Sequence, residues 1–216
     1  LGTKFGVWPF TIGLMLMAGA AVLAAIGFIG GLWGYLIARG RGYAADKPLC
    51  GIGALLSAVV LGVFGSQFLA ATSVPSIHNI STDINDPPVF NAVPALRGEG
   101  TNPLDYDATK IGPLQSAAYP DVKPLQTDLD RGAALARSVA VLEEMGLEIV
   151  AAAPSGRVVE ATYTSFWFGF KDDLVVRIRP TGAGSQIDVR SVSRVGQSDL
   201  GANAKRIGEF LARFSG

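Results

Sequence analysis

Two uncharged stretches constrain this chain more than anything else in it. No charged side chain falls between Phe5 and Ala38, or between Pro48 and Asn79. Each stretch exceeds the roughly 20 apolar residues with which a helix crosses a hydrocarbon core of about 30 Å. The pattern predicts a transmembrane hairpin over residues 1–76, with the charged segment 39–47 as its loop. The first stretch is too long for a signal-peptide core of about 7–15 residues and ends on Arg39 and Arg41, so it reads as a retained span. The chain opens on Leu1 instead of methionine, and a few leading residues are expected to be missing.

The flanks of the hairpin give a direction. Arg39, Arg41 and Lys47 surround the loop, whereas the far ends carry only Lys4 and then nothing basic until Arg97. The positive-inside rule places the loop in the cytoplasm and both termini outside. In a bacterium with two membranes, the remainder is a periplasmic domain on the inner membrane. Trp8 and Tyr35 stand about 40 Å apart along a helix, the separation of two headgroup layers in which such aromatics concentrate. Gly27 with Gly31, and Gly30 with Gly34, form two small-residue steps that let helices approach closely. They pack either the two spans together or one span on a partner protein. Neither span has an ionisable group at mid-depth apart from Cys50, which argues against a transport pathway.

Beyond the hairpin, residues 77–216 read as a two-layer α+β domain preceded by an extended arm, 77–127. The arm holds many prolines, among them Pro75 just before it, then Pro87, Pro88, Pro94, Pro103, Pro113, Pro120 and Pro124. It predicts no regular helix or strand. Ile77, Ile80, Val89, Phe90, Val93, Leu96, Leu104 and Ile111 would lay it over the domain and keep it from acting as a loose tether. After Thr127 the order becomes helix, four-stranded antiparallel sheet, helix. Thr127 or Asp128 caps the first helix, with Leu135, Val139, Leu142 and Met145 as its apolar stripe. Strands follow around turns at Pro154-Ser155-Gly156, at Gly169 with Lys171-Asp172-Asp173, and at Gly182-Ala183. The last helix starts near Ser198 or Asp199 and buries Leu200, Ala204, Ile207, Leu211 and Phe214.

From Asp83 onward there are 14 basic and 17 acidic residues, so the domain lacks the basic excess of a nucleic-acid binder. One cysteine and one histidine, Cys50 and His78, exclude an internal disulfide and a structural zinc site. A turn centred on Gly182 and Ala183 pairs Arg177 with Asp188 and Val175 with Arg190. It sets Arg177, Arg179, Arg190 and Arg194 on one sheet face. Such forks grip phosphate or carboxylate, so the face binds an anionic lipid, a small metabolite or an acidic partner, or else it is solvated and balanced by Asp188 and Glu160. His78 with Asp83 forms a membrane-proximal polar candidate. Phe166, Trp167, Phe168 and Phe170 crowd one strand end; one set packs in the core, and the other is free to meet a membrane or a partner.

Several separated motifs resemble one family. They are Ile77-His78-Asn79-Ile80-Ser81-Thr82-Asp83, Pro87-Pro88-Val89-Phe90, Tyr119-Pro120, Phe170-Lys171-Asp172-Asp173, Asp188 to Arg194, and Ser198 to Ala204. Together they are similar to the domain of unknown function 1499 family over Ile77 to Phe214. Asn79 stands where an aspartate is expected, which weakens a metal reading of that segment. The resemblance implies a bacterial or plastid-type envelope protein of unassigned activity, supplies no catalytic residues, and makes the arm part of the domain. The function expected is a non-enzymatic accessory subunit without cofactor, docked in the lipid bilayer on a larger integral membrane complex, respiratory or photosynthetic. The alternatives are a periplasmic binding module and, third, an enzyme using His78.

Overall fold

A computed structural model describes residues 2–152 and 157–216. The turn expected at Pro154-Ser155-Gly156 lies outside them. The chain divides into two compact units, Leu1–Ser73 and Val74–Gly216.

The first unit is a pair of helices, α1 (Phe10–Arg41) and α2 (Asp46–Thr72). Both are long and apolar enough to cross a membrane. Pro9 stands just before α1 in an extended conformation. Gly42, at a φ of 77°, ends the helix in the left-handed region, and its amide reaches the Ala38 carbonyl. The link is therefore shorter than the charged segment 39–47 suggests. Arg39 and Arg41 lie in the last turn of α1, and Asp46 in the first turn of α2, each at the helix end whose dipole favours its sign.

In the second unit the expected core order is present: α4 (Arg131–Glu144), β3 (Glu148–Ala152), β4 (Val158–Thr164), β5 (Lys171–Thr181), β6 (Gly184–Ser193) and α5 (Ala202–Ser215). The four strands form an antiparallel meander, and β5 and β6 turn at 182–183 with Arg177 opposite Asp188. The helices α4 and α5 cover one face through Val141, Leu142, Ile207, Phe210 and Phe214, which meet Leu174, Val176, Ile178, Ile187 and Val189.

The arm departs from expectation. It supplies two more strands, β1 (Asn79–Ser81) and β2 (Leu125–Thr127), so the sheet has six strands instead of four. Both pair with the free edge of β6, one beyond the other. The arm also forms α3 (Ala108–Ala118) despite Pro113. Asp107 starts that helix by accepting from the Lys110 amide at 3.1 Å. Proline then forfeits only one helical bond, that to the Thr109 carbonyl. From α3, the Gln115 side chain bonds both the amide (3.0 Å) and the carbonyl (2.6 Å) of Ser81, closing the outer edge of β1. Residues 83–106 cover the second sheet face, making a third layer with a small apolar cluster of Phe90, Val93, Val175 and Val192.

Helix boundaries shift by a few residues. Asp130 caps α4, accepting from the Ala133 amide at 2.9 Å, while Thr127 closes β2. The buried stripe of α4 is Ala134, Ser138, Val141 and Leu142, with Leu135 and Val139 at its margin. Leu200 precedes α5 and is exposed; Phe210 holds the centre of that helix's buried face. Lys171, Asp172 and Asp173 open β5 instead of forming a solvated turn.

Candidate functional site

β-Strand alternation puts Asp173, Val175, Arg177 and Arg179 of β5 on the same face as Asp188, Arg190 and Val192 of β6, with Arg194 continuing the series. Glu160 and Thr162 of β4 join them. This is the arginine face read from the sequence, but most of it is covered, with only the Arg179 end partly open to solvent. Asp173 and Asp188 are wholly buried, and Arg190 is 4 % exposed. What covers them is the arm.

Three clusters hold it there. Near the β5–β6 turn, Arg179 bonds Asp83 (2.7 Å), Asp86 (3.2 Å) and Asp188 (2.7 Å), while Arg177 bonds Asp188 (3.0 Å), Asp86 (3.1 Å) and the Asp86 carbonyl (2.6 Å). Burial pushes the Asp83 carboxyl up, but the Asp86 and Asn85 amides and the Arg179 fork outweigh it and hold it below its ordinary range. For Arg179 burial works against the charge, and its bonds to Asp83 and Asp188 prevail, so its pKa is raised.

At the centre, Arg190 donates to Asn79 Oδ1 (3.0 Å), to the Pro88 carbonyl (3.0 Å) and to the Leu104 carbonyl. Its guanidinium lies over Phe90 at 5.4 Å and Tyr106 at 5.7 Å. Burial lowers its pKa to about 10 and raises that of the Tyr106 hydroxyl to about 12. Beside it, the buried Glu160 carboxylate accepts three successive amides, those of Asn91 (2.7 Å), Ala92 (3.0 Å) and Val93 (2.8 Å). That is an anion-binding turn filled by the protein's own carboxylate.

At the far end, Asp173 accepts from Arg97 (2.6 Å), from Nε and Nη2 of Arg194 (2.9 and 2.8 Å) and from the Thr162 hydroxyl at 2.8 Å. Arg194 also reaches the Leu96 carbonyl at 3.0 Å. All four candidate arginines thus bind the arm or the strand beneath it. An anion in solution would have to displace bonds that the fold already makes.

His78 and Asp83 do not form a joint site. Asp83 bonds Arg179, whereas His78 Nδ1 donates to the Gln197 carbonyl at 3.3 Å. The His78 carbonyl accepts from Ser193 N and Asn203 Nδ2, each at 3.0 Å. This ties it into a second polar network, on the helix side of the sheet. There Asn203 bonds Ser191 and Ser193, Arg206 bonds Asp172 at 2.9 Å, and the Arg206 guanidinium stacks on Tyr163 at 4.3 Å. Among the described residues no three His, Cys, Asp or Glu side chains converge as metal ligands.

These networks contain motif residues, among them Asn79, Asp83, Asp172, Asp173, Asp188, Arg190, Arg194 and Asn203, together with Arg97, Glu160, Arg177, Arg179 and Arg206, which lie outside those motifs. A family model for proteins of unknown function, DUF1499, matches residues 79–214. The chain belongs to the DUF1499 family. No curated protein is significantly similar to it. In this DUF1499 domain several of the motif residues take part in the arm clasp and in the seat of α5.

The candidate glycines of α1 divide into two groups. A Cβ on Gly27 would meet Ser57 at 2.8 Å, one on Gly34 would meet Cys50 Sγ at 2.9 Å, and one on Gly31 would strike Ala54 N at 2.8 Å. These three line the contact with α2. Gly30 faces open space, as do Gly53, Gly62 and Gly65 on α2. Sequence reasoning missed Arg97, Arg206 and the role of Glu160. Each is a single charged residue without a local pattern, and its partner lies 34 to 76 positions away.

Proposed function

We propose that this DUF1499 chain is a non-enzymatic accessory subunit of a larger integral membrane complex. The helices α1 and α2 span a bacterial inner membrane as a hairpin, and the folded domain caps the complex from the periplasmic side. The observation that carries this reading is the surface of the hairpin. Of its residues only Ala38 is buried in α1 and none in α2, so the pairing of the two helices leaves most of their apolar surface uncovered. Such surface is favourable only in lipid or against another protein. The outward glycines Gly30, Gly53, Gly62 and Gly65 offer close approach to a second set of helices. Arg39, Arg41 and Lys47 beside the link set it in the cytoplasm and the domain outside.

The domain contributes rigidity. The charged side chains of one sheet face bind its own arm, so on that side the face it offers a partner is shaped by the outer layer, residues 83–106. Purification of the chain from its native membrane in mild detergent tests the proposal. It should emerge with a larger integral membrane protein, and a lone monomer would end the proposal.

A further inference from the structure

Three exposed apolar side chains stand at the end of the domain where the chain enters it. Asn79 at the start of β1 faces Val192 near the end of β6, Asp172 at the start of β5 faces Ser193, and Lys171 faces Thr164 at the end of β4. The β4–β5 turn, the segment after β6 and the residues before β1 therefore share one rim of the sheet. Backbone bonds join its parts: Arg194 N to the Lys171 carbonyl (2.9 Å), Ser193 N to that of His78 (3.0 Å), and Asp199 N to that of Ile77 (3.1 Å). With neighbouring strands about 4.8 Å apart, the rim from the turn to Ile77 spans roughly 10–15 Å.

The β4–β5 turn is built tightly. The Ser165 hydroxyl accepts the Phe170 amide at 2.9 Å, the Ser165 carbonyl accepts that of Gly169 at 3.1 Å, and Gly169 has a φ of 72°. Its tip presents Phe166 and Trp167, edge to face at 5.0 Å and 62 and 64 % exposed. Farther along, Leu200 is 58 % exposed at a φ of 54°, and it is the one non-glycine residue with a left-handed backbone among those described. A leucine in that conformation is strained, and here it stays mostly exposed. Its neighbours hold it out. The Ser198 hydroxyl accepts the Leu200 amide at 3.2 Å, and Asp199 accepts those of Gly201 (2.8 Å) and Asn203 (3.0 Å). Beside it a Cβ on Gly201, whose φ is 81°, would stand 3.6 Å from Val74 Cγ1.

Val74 is the residue by which the chain enters this rim. It is two residues beyond Thr72, where α2 ends, and two residues reach about 7 Å at most. A spanning α2 thus delivers the rim to the headgroup layer by the covalent chain itself. We propose that Phe166, Trp167 and Leu200 insert into the boundary between headgroups and acyl chains and seat the domain on the bilayer by this rim. The inference rests on the membrane-anchored reading above. Lipid is the occupant because Val74 lies only two residues beyond the end of a spanning α2, and because aromatic side chains favour the interfacial depth.

The test uses the full chain in vesicles of phosphatidylcholine and phosphatidylglycerol, part of it brominated either high or low on the acyl chain. Trp8→Phe/Trp33→Phe leaves Trp167 as the single tryptophan, excited selectively at the red edge of the band; Trp167→Phe leaves the two hairpin tryptophans. Trp167 emission should be quenched at least about twofold more by the shallow bromine than by the deep one, as interfacial aromatics are. Adding Phe166→Ser with Leu200→Ser should lower that quenching by about half. Quenched hairpin tryptophans beside an unquenched Trp167 would overturn the seating alone. If none is quenched, anchoring and seating fail together.

Discussion

Arg190 bonds the Asn79 side chain and the carbonyls of Pro88 and Leu104 with one guanidinium, so three segments of the arm meet on a single planar group. Arg190→Ala leaves those acceptors buried without a donor, and a loss of about 3 kcal/mol is expected. Arg190→Lys should recover only a fraction, because an ammonium cannot fork to three directions in one plane. Thermal unfolding of the full chain in detergent, followed by circular dichroism, measures both. Asp83 gives the acid response. Burial raises its carboxyl, but the Asp86 amide and the Arg179 fork hold the net pKa below the ordinary 3.8. The folded state then binds this proton less readily than the unfolded chain. The stabilising effect is complete above 3.8 and is lost as pH falls through the lowered value. Asp83→Asn should therefore flatten the acid side of a melting-temperature profile taken from about pH 5 to about pH 2. The pairing of Arg177 with Asp188 was legible in the sequence, because a two-residue turn fixes the register of both strands. The burial of that pair was not, since its cover comes from Asp83 and Asp86, roughly 100 positions upstream, and no local pattern announces it.

At the scale of elements, the helices and the long strands followed from apolar periodicity. β1, β2 and α3 did not. Two three-residue strands are too short to alternate, and they exist because β6 leaves an edge for them. α3 contains a proline that reads as a breaker, yet Asp107 nucleates the turn before it. The cap of α4 is Asp130 and neither Thr127 nor Asp128, and Thr127 is paired into β2. In the hairpin, Gly31 and Gly30 are adjacent in sequence and opposite in consequence. A side chain on Gly31 meets backbone atoms, Ala54 N at 2.8 Å and Cys50 O at 3.0 Å, which cannot swing aside. Gly31→Leu should destabilise the helix pair by about 1–3 kcal/mol, whereas Gly30→Leu should leave it unchanged. Loss of helicity on titration with a denaturing detergent distinguishes the two.

Taken as a whole, the molecule is a helix pair with uncovered apolar surface joined to a domain in which one charged sheet face is covered by its own arm. The compact units divide between Ser73 and Val74, where the sequence reading set its boundary between residues 76 and 77. The arginine face misled because a strand pattern reports which residues share a face, never what lies on it. In the proposed account the clasped arm makes the domain a rigid cap, and the hairpin supplies the docking surface. The most direct measurement is the mass of the particle that carries this chain when its native membrane is dissolved in mild detergent. The account predicts a particle far heavier than the chain with its detergent belt, containing at least one other integral membrane protein. A particle holding this chain and detergent alone would contradict it.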